Sequence, residues 1–409
     1  MSPVASDHDA RPGPHPHVVD APAPRVGATG ARGALLPALI VLVIGSIFVS
    51  VYLAAFHAPK PHRLPVGIVG TAQQAQQLRT GLDAHSPDGF AVTAYPDRAA
   101  AASAVEHRTV YAVLDPAVLA PAAATTGAGA GTGADTLLYG SANGPSVTAL
   151  LEGGFAAVAQ AGGHSLASQD LAPASSGDTR GLSIFYSAFG LVLAGFLFGT
   201  MTYQMAPRLE FRWRMTSLAA FSVVGGLAIA AIAGQVFGAL PGPFLAVAAL
   251  TGLMAAAVGG TTMALVRLLG PAGVSVSSVL MLILGNATSG GILPPAFLPA
   301  LLRPLSEILP VGVGVRAVQG LAYFHGNGVE AGVGVLALWT AVSVGLLYWR
   351  DAGIIGAEAP PERTGEPTDS VTGMPREASW KLDRSAAEAT PLAVVVASMP
   401  EPSVAGESV

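Results

Sequence analysis

Two long stretches of the sequence, Gly181–Pro207 and Met215–Val266, contain no Asp, Glu, Lys or Arg residue. A helix needs about 20 apolar residues to cross the hydrocarbon core of a bilayer, so the first stretch can hold one such helix and the second can hold two. Charged residues make up only 11% of the whole chain, against roughly 25% in soluble domains. These features predict an integral membrane protein.

Breaks in the apolar pattern divide the chain into six predicted transmembrane helices. Pro241 and Pro243 separate the two helices of the longer charge-free stretch. The apolar run near the N-terminus exceeds the roughly 7–15 residues of a cleavable signal peptide, which favours an uncleaved anchor. The predicted spans are Ala34–Phe56, Leu182–Tyr203, Ser217–Ala239, Phe244–Leu265, Val274–Gly285 and Ala331–Trp349.

Basic residues indicate the orientation of these spans. Arg25 and Arg32 precede the first span, the loop Arg208–Arg214 follows the second, and Arg267 and Arg350 lie near later span ends. Lys and Arg are enriched in cytoplasmic loops, and six alternating spans place all of these residues on one side. The sequence therefore predicts a multi-pass plasma-membrane protein with both termini in the cytoplasm.

Residues 57–180, between the first two spans, are predicted to form an extracytoplasmic α/β domain. Apolar runs typical of strands alternate there with helical patterns, which favours a mostly parallel sheet. The predicted strands are Leu64–Val69, Phe90–Tyr95, Val110–Leu114 and Leu137–Tyr139, and the predicted helices are Gln73–Ala84, Arg98–Glu106 and Ser146–Gln160. A linker rich in Ala, Thr and Gly covers Pro121–Ala134. The predicted fold class is an α-helical polytopic membrane protein of six transmembrane helices with this inserted domain.

The two ends of the chain, residues 1–33 and 350–409, are predicted to be disordered cytoplasmic tails, the second of them acidic. His8, His15 and His17 are potential metal ligands, but a loose His/Pro tract implies no fixed coordination geometry. The absence of Cys excludes disulfides and cysteine metal sites. No metal site is predicted.

The segment Asn286–Phe324, which follows the fifth span, is too polar and too rich in proline to cross a bilayer. Ser289, Gly290 and Gly291 expose backbone that lipid cannot satisfy, so this segment must lie against protein, in a cavity or at the membrane surface. A broken, interfacial hairpin of two short helices is expected on the outer side, within residues 181–349. The first helix would contain Leu298–Ile308 with an Arg303–Glu307 pair, and the second Val313–Tyr323 with Arg316.

The sequence offers little support for enzymatic chemistry. Lys60 and Lys381, the only lysines, do not follow a glycine-rich loop, so no Walker A motif for ATP is present. His164, Ser165 and Asp170 are crowded into a predicted loop without the strand-turn-helix context of a hydrolase nucleophile. We therefore expect no catalytic residues and no cofactor, and nothing indicates nucleic acid as a partner.

Polar and small residues within the spans are expected to serve helix packing. Interhelical hydrogen bonds are the favoured role of Gln235, Thr261, Thr262 and Ser275–Ser278. The pairs Gly195/Gly199 and Gly226/Ala230 have the spacing at which two helices approach closely, either within the bundle or between two subunits.

Several motifs of the hairpin resemble the membrane subunits of type-2 ABC exporters, in particular the phage-infection-protein-like (YhgE/Pip) branch. They are Ser289–Gly291, Leu298–Pro299, Leu309–Gly312, Arg316–Ala317 and Tyr323–Phe324, and Val105–Leu114 is similar to an element of that branch's outer domain. The resemblance spans roughly Ala34–Trp349.

The resemblance implies a dimeric channel in membrane lipid that exports amphiphiles, polymers or drugs with the help of separate ATP-binding subunits. By analogy, the loop that couples the channel to the ATPase would contain Arg208, Glu210, Arg212 and Trp213. The outer gate would contain Ser289, Gly290, Gly291, Pro310 and Arg316. The alternative is a non-transporting receptor or scaffold whose outer domain binds an envelope component or a phage.

Overall fold

The computed structural model describes residues 31–116 and 134–357, with side chains from 35 to 116 and from 134 to 352. These residues belong to one compact unit. The predicted N-terminal tail, with His8, His15 and His17, lies outside the described residues up to position 30. The predicted linker also lies outside them, except for its last residue, Ala134, which begins a strand.

Five of the described helices are long and apolar enough to cross a membrane: α1 (Ala31–Phe56), α5 (Ser183–Met205), α6 (Phe211–Ile229), α7 (Phe244–Leu269) and α11 (Val329–Ala357). Helix α6 continues as a π-helical turn, Ala230–Val236. The predicted span Val274–Gly285 is shorter than these five. It lies within α8 (Pro271–Ser277) and the π-helical segment that follows, Ser278–Gly285. At about 1.5 Å per residue the whole run Pro271–Gly285 reaches roughly 22 Å, less than a hydrocarbon core of about 30 Å.

Helix α7 lies at the centre of the bundle, packed against α5, α6, α10 and α11. Small residues allow this packing. A Cβ atom at Gly226 of α6 would overlap the carbonyl oxygen of Ala248, and one at Gly199 of α5 would lie 2.6 Å from Cβ of Thr262. The close-packing role predicted for these glycine pairs is therefore confirmed, and it operates within the bundle.

Two interhelical hydrogen bonds join buried hydroxyl groups of α7 to its neighbours. The Oγ1 atom of Thr262 lies 2.7 Å from Oγ of Ser277, and that of Thr261 lies 3.0 Å from Oγ of Ser343. The predicted role is confirmed for these residues, whereas the side chain of Gln235 is exposed.

The segment between α1 and α5 contains a five-stranded mixed sheet in the order β2-β1-β3-β4-β5. The strands are β1 (Leu64–Val69), β2 (Phe90–Tyr95), β3 (Ala112–Asp115), β4 (Ala134–Tyr139) and β5 (Ser165–Asp170). Strands β2, β1 and β3 are parallel, as are β4 and β5, but β3 and β4 are antiparallel. The expected four strands are present. The prediction of a loop around Ser165 is wrong, because residues Ser165–Asp170 form the edge strand β5.

Three helices cover both faces of this sheet region: α2 (Ala72–Asp83), α3 (Arg98–Glu106) and α4 (Pro145–Ala161). Thr71 and Gln74 form a capping box at the start of α2, and the Asp97 side chain caps α3. Helices α2 and α4 share one apolar core with the sheet, and α3 covers a second core that includes Val113 and Leu138.

The hairpin differs from its prediction in helix boundaries. It contains a 3₁₀ turn (Pro295–Phe297), α9 (Arg303–Ile308) and α10 (Pro310–Tyr323). Leu298 is extended and outside any helix, and no ion pair between Arg303 and Glu307 is present in the described chain. Leu309 is extended (φ −74°, ψ 141°) because Pro310 disfavours helical geometry in the residue before it. No residue of helix α10 is exposed, because it packs against α5, α7 and α11. The interfacial position expected for the hairpin stays a prediction.

Candidate functional site

The first part of the hairpin belongs to the core of the sheet region. Leu293 and Phe297 are buried in the same apolar cluster as residues of β1, α2 and α4. The backbone N–H of His62, just before β1, donates a 2.8 Å hydrogen bond to the carbonyl oxygen of Ala296. A displacement of this part of the hairpin would therefore also move the sheet region.

The predicted gate residues Ser289–Gly291 lie against the start of α5. Ser289 is buried, and its Oγ accepts a hydrogen bond from the N–H of Gly291 at 3.3 Å. Gly290 has φ +77°, a conformation that glycine adopts without strain. A Cβ atom at Gly291 would lie 2.9 Å from Cβ of Phe185, so only glycine permits this approach. These three residues form a tight backbone turn packed on α5.

The second part of the hairpin enters the helix bundle. Pro310 is buried at the start of α10, and Gly314 faces Met254 of α7, where a Cβ atom would lie 2.6 Å from its sulfur. The indole N–H of Trp339 in α11 donates a 2.8 Å hydrogen bond to the carbonyl oxygen of Ile308. Trp339 lies about 15 Å along α11 from Val329. The break between α9 and α10 therefore lies beside α11, with Leu309 and Pro310 buried and Ile308 56% exposed.

The far end of α10 is bonded to the sheet region. Arg108, which follows α3, donates from Nη2 to Oε1 of Gln319 at 2.9 Å. Gln319 donates in turn from Nε2 to the carbonyl oxygen of Ala142 at 2.6 Å. The Arg108 guanidinium also lies 4.8 Å from the ring centroid of the buried Phe324. Sequence reasoning did not single out Arg108 or Gln319, because their partners are about 200 positions away.

A cavity of about 650 Å³ is lined by residues of the sheet region, the hairpin and the start of α11. We call it the basic pocket, because four arginines and one carboxylate line it: Arg63, Arg108, Arg303, Arg316 and Glu307. Arg316, a predicted gate residue, donates from Nη1 to Oγ of Ser306 at 3.2 Å. Tyr111 also lines the pocket. Burial raises the pKa of Tyr111 and lowers those of Arg108 and Arg316.

The predicted coupling loop is exposed at the opposite end of α5. Nε of Arg212 lies 2.7 Å from Oε2 of Glu210, and both side chains are mostly exposed. The Arg212 guanidinium lies 5.7 Å from the ring of Trp213, which is 55% exposed, and Arg208 is exposed too. The structure thus brings three of the four residues together on an accessible surface.

A buried ion-pair network behind this loop was missed from the sequence. Nη1 of Arg214 lies 2.7 Å from Oδ2 of Asp351, and Nε of Arg267 lies 3.0 Å from Oδ1 of the same carboxylate. The network joins α6, α7 and α11, and the Arg214 guanidinium also stacks 4.7 Å from the ring of Tyr203 in α5. The prediction of a disordered tail from position 350 is wrong for its first residues, because α11 continues to Ala357.

Comparisons of the chain with known protein families, with curated proteins and with solved structures find no match. Within the side chains described, no group of His, Asp and Glu residues could hold a metal ion. The three residues considered for hydrolase chemistry are not assembled as a triad. His164 pairs with Asp135 at 3.1 Å, whereas Asp170 accepts hydrogen bonds from the N–H groups of Ser141 and Ala172.

Proposed function

We propose that this protein is the membrane permease subunit of a type-2 ABC-like exporter in the plasma membrane. It would move a hydrophobic or amphiphilic substrate out of the cell, energised by a separate ATPase subunit. The observation that supports this proposal best is the position of α10, which is buried among α5, α7 and α11 while its far end is bonded to the sheet region. A broken segment with one end in the bundle and the other on an outer domain is suited to act as a gate.

In this proposal the hinge of the gate is the break between α9 and α10. Leu309 is extended, and Gly312 packs so closely on Ser306 that a Cβ atom would overlap its carbonyl oxygen. Non-helical backbone at membrane depth is tolerated where it is buried in protein or lines a cavity. In this proposal α8 and its π-helical extension are the fifth of six spans, and rotation of α10 about the break opens the outer mouth.

The exposed loop Arg208–Trp213 is the proposed docking surface for the ATPase on the cytoplasmic side. Its position supports this role, because the Arg214–Asp351–Arg267 network lies directly behind it. A displacement of the loop would be transmitted through Asp351 to α11 and through Arg267 to α7. Helix α7 in turn packs against α10, which completes a path from the loop to the proposed gate.

The proposed dimer would form within membrane lipid. Helix α1 packs mainly on the π-helical segment before the hairpin, and its most apolar window is only 6% buried within the chain. Its apolar surface is therefore free to contact lipid or a second subunit.

A second candidate function is a receptor that binds a ligand without transporting it. The basic pocket favours this alternative, because it lies between the sheet region and the hairpin and could serve as a ligand site in a static protein. The two functions differ in their partners: only the exporter requires an ATPase.

The partner can be tested by crosslinking in native membranes, purification in mild detergent and mass spectrometry. We expect a Walker A ATPase in near-stoichiometric amount, and less of it with a variant in which Arg212 and Trp213 are replaced by Ala. Arg79→Ala, a change at an exposed arginine of α2, is the matched control and should leave recovery unchanged. Recovery of the chain alone, or with envelope components, would favour the receptor instead.

A further inference from the structure

The basic pocket contains an excess of positive charge that the described chain does not neutralise. Its four arginines face a single carboxylate, Glu307. None of the four forms an ion pair with an Asp or Glu of the described residues within 4.0 Å. By contrast, Arg98, Arg214 and Arg267 each have an Asp partner. Arg63 is exposed, whereas Arg108, Arg303 and Arg316 are partly buried. Partly buried charge without a counter-ion is costly, and a bound anion would relieve that cost.

Hydrogen-bond donors in the pocket are also left without acceptors. Nε of Arg303 is buried and has no hydrogen-bond partner among the described residues. Arg316 uses one nitrogen for Ser306, and Arg303 directs Nη2 at the Leu298 carbonyl oxygen. Arg108 directs Nη2 at Gln319 and Nη1 at the Arg316 carbonyl oxygen. A guanidinium carries five N–H donors in a planar fork that matches the oxygens of a phosphate or carboxylate. The donors that remain are available to a ligand.

Another part of the pocket wall is apolar and belongs to α10 and α11. Val313 of α10 and Ala331 and Val335 of α11 line it. The volume of about 650 Å³ lies within the range of about 300–1,000 Å³ found for small-molecule sites. A ligand with an anionic head and an apolar body would satisfy both walls at once.

We propose that the basic pocket binds a phosphate group carried on the head of an amphiphile at the outer surface of the membrane. Arg303 and Arg316, on α9 and α10, contact the phosphate, and Arg63 and Arg108 approach it from the sheet region. The proposal concerns binding alone. It goes beyond the proposed transport, and a binding measurement can fail or succeed independently of whether an ATPase is recovered.

The test is calorimetric titration of the full chain in a mild non-ionic detergent. The probes are dihexanoyl phosphatidic acid, inorganic phosphate and, as a zwitterionic control, dihexanoyl phosphatidylcholine. We expect the phosphatidic acid to bind most tightly, inorganic phosphate to compete with it, and phosphatidylcholine to bind at least tenfold more weakly. Added salt should weaken the binding.

Variants make the assignment specific to this pocket. Replacing both Arg303 and Arg316 by Gln should weaken phosphatidic acid binding by about tenfold or more, because two charge-assisted contacts are lost. Arg79→Gln, on the exposed surface of α2, should leave it unchanged. Glu307→Gln should tighten binding severalfold, since it removes the one carboxylate of the pocket. A gain in affinity cannot result from misfolding.

The outcomes separate the sources of the phosphate. Equal or tighter binding of inorganic phosphate, with the same response to the variants, would support the phosphate site and overturn the amphiphile. The whole proposal would be overturned if neither anion bound, or if the double variant and Glu307→Gln both bound like the unmodified chain.

Discussion

Arg214 and Asp351 are separated by 137 positions in the sequence, yet Nη1 of the arginine lies 2.7 Å from Oδ2 of the carboxylate. The side chain of Arg214 is only 2% exposed, and Asp351 also accepts a hydrogen bond from Arg267. One carboxylate thus pairs with two arginines on different helices. This arrangement fixes the ends of α6, α7 and α11 relative to one another, close to the exposed loop Arg208–Trp213.

Asp351→Asn is expected to destabilise the protein strongly, because Arg214 would remain buried without a counter-charge. Removal of one partner of a buried ion pair typically costs about 3–5 kcal/mol. We expect about 3 kcal/mol, since the Asp351 side chain keeps 16% exposure. The measurement is the thermal unfolding midpoint of the purified protein in detergent.

Glu210→Gln is the matched control, because it breaks an ion pair whose side chains are 75% and 65% exposed. An exposed pair contributes about 0–1 kcal/mol, so the unfolding midpoint should hardly change. Equal effects of the two variants would show that the Asp351 network does not stabilise the bundle.

A second prediction concerns the contact between α6 and α7. Gly226→Ala would force a Cβ atom against the Ala248 carbonyl oxygen and the Gly252 backbone, which cannot yield without separating the helices. We expect a loss of at least about 1–3 kcal/mol, the usual cost of overpacking, and a lower yield of folded protein. Size-exclusion chromatography of the detergent extract would measure it.

The adjacent glycine provides the control. A Cβ atom at Gly225 would meet only Cδ1 of Leu191, at an ordinary 3.5 Å. Alanine also has a higher helix propensity than glycine, so Gly225→Ala should be neutral or slightly stabilising. If Gly226→Ala behaved in the same way, the close approach of α6 and α7 would be incorrect.

The elements predicted correctly from the sequence are those specified by local patterns. Strands β1 and β2 are apolar runs bounded by turn residues, and α3 begins directly after its capping residue Asp97. Strand β5 was missed because Ser165–Asp170 is polar and mostly exposed. It is held by pairing with β4 and by contacts with α4, which no local pattern reveals.

The candidate site was only partly predictable for a similar reason. The sequence located the broken hairpin, since proline and glycine positions are local signals. It did not indicate that α10 is buried in the bundle or that Arg63 and Arg108 face Arg303 and Arg316 across a pocket. These relationships depend on packing between distant segments. The assignment of Asp351 to a tail failed because its partners are on other helices.

A third prediction tests the proposed orientation in the membrane. The chain contains no Cys, so a single cysteine can be introduced without a background signal. Gln77 of α2 and Arg208 of the proposed docking loop are both exposed. In intact cells a membrane-impermeant maleimide should label Gln77→Cys and should label Arg208→Cys only after permeabilisation. Labelling of both variants in intact cells would contradict the six-span arrangement.

A final prediction concerns the break between α9 and α10, which the proposed gate uses as a hinge. Trp339→Phe removes the indole N–H that donates to the Ile308 carbonyl oxygen, while most of the aromatic surface remains. Because the Ile308 carbonyl oxygen would lose its hydrogen bond to α11, the break should open more often. We expect faster amide hydrogen exchange in α9 and the first turn of α10, with little change in α7.

Trp349→Phe is the control, since Trp349 is 67% exposed near the other end of the same helix. If only α9 and α10 respond, and only to Trp339→Phe, the break at Leu309 opens as the proposed gate requires. Unchanged exchange would mean that packing against α5, α7 and α11 holds α10 without this bond, and a gate at this position would need a different hinge.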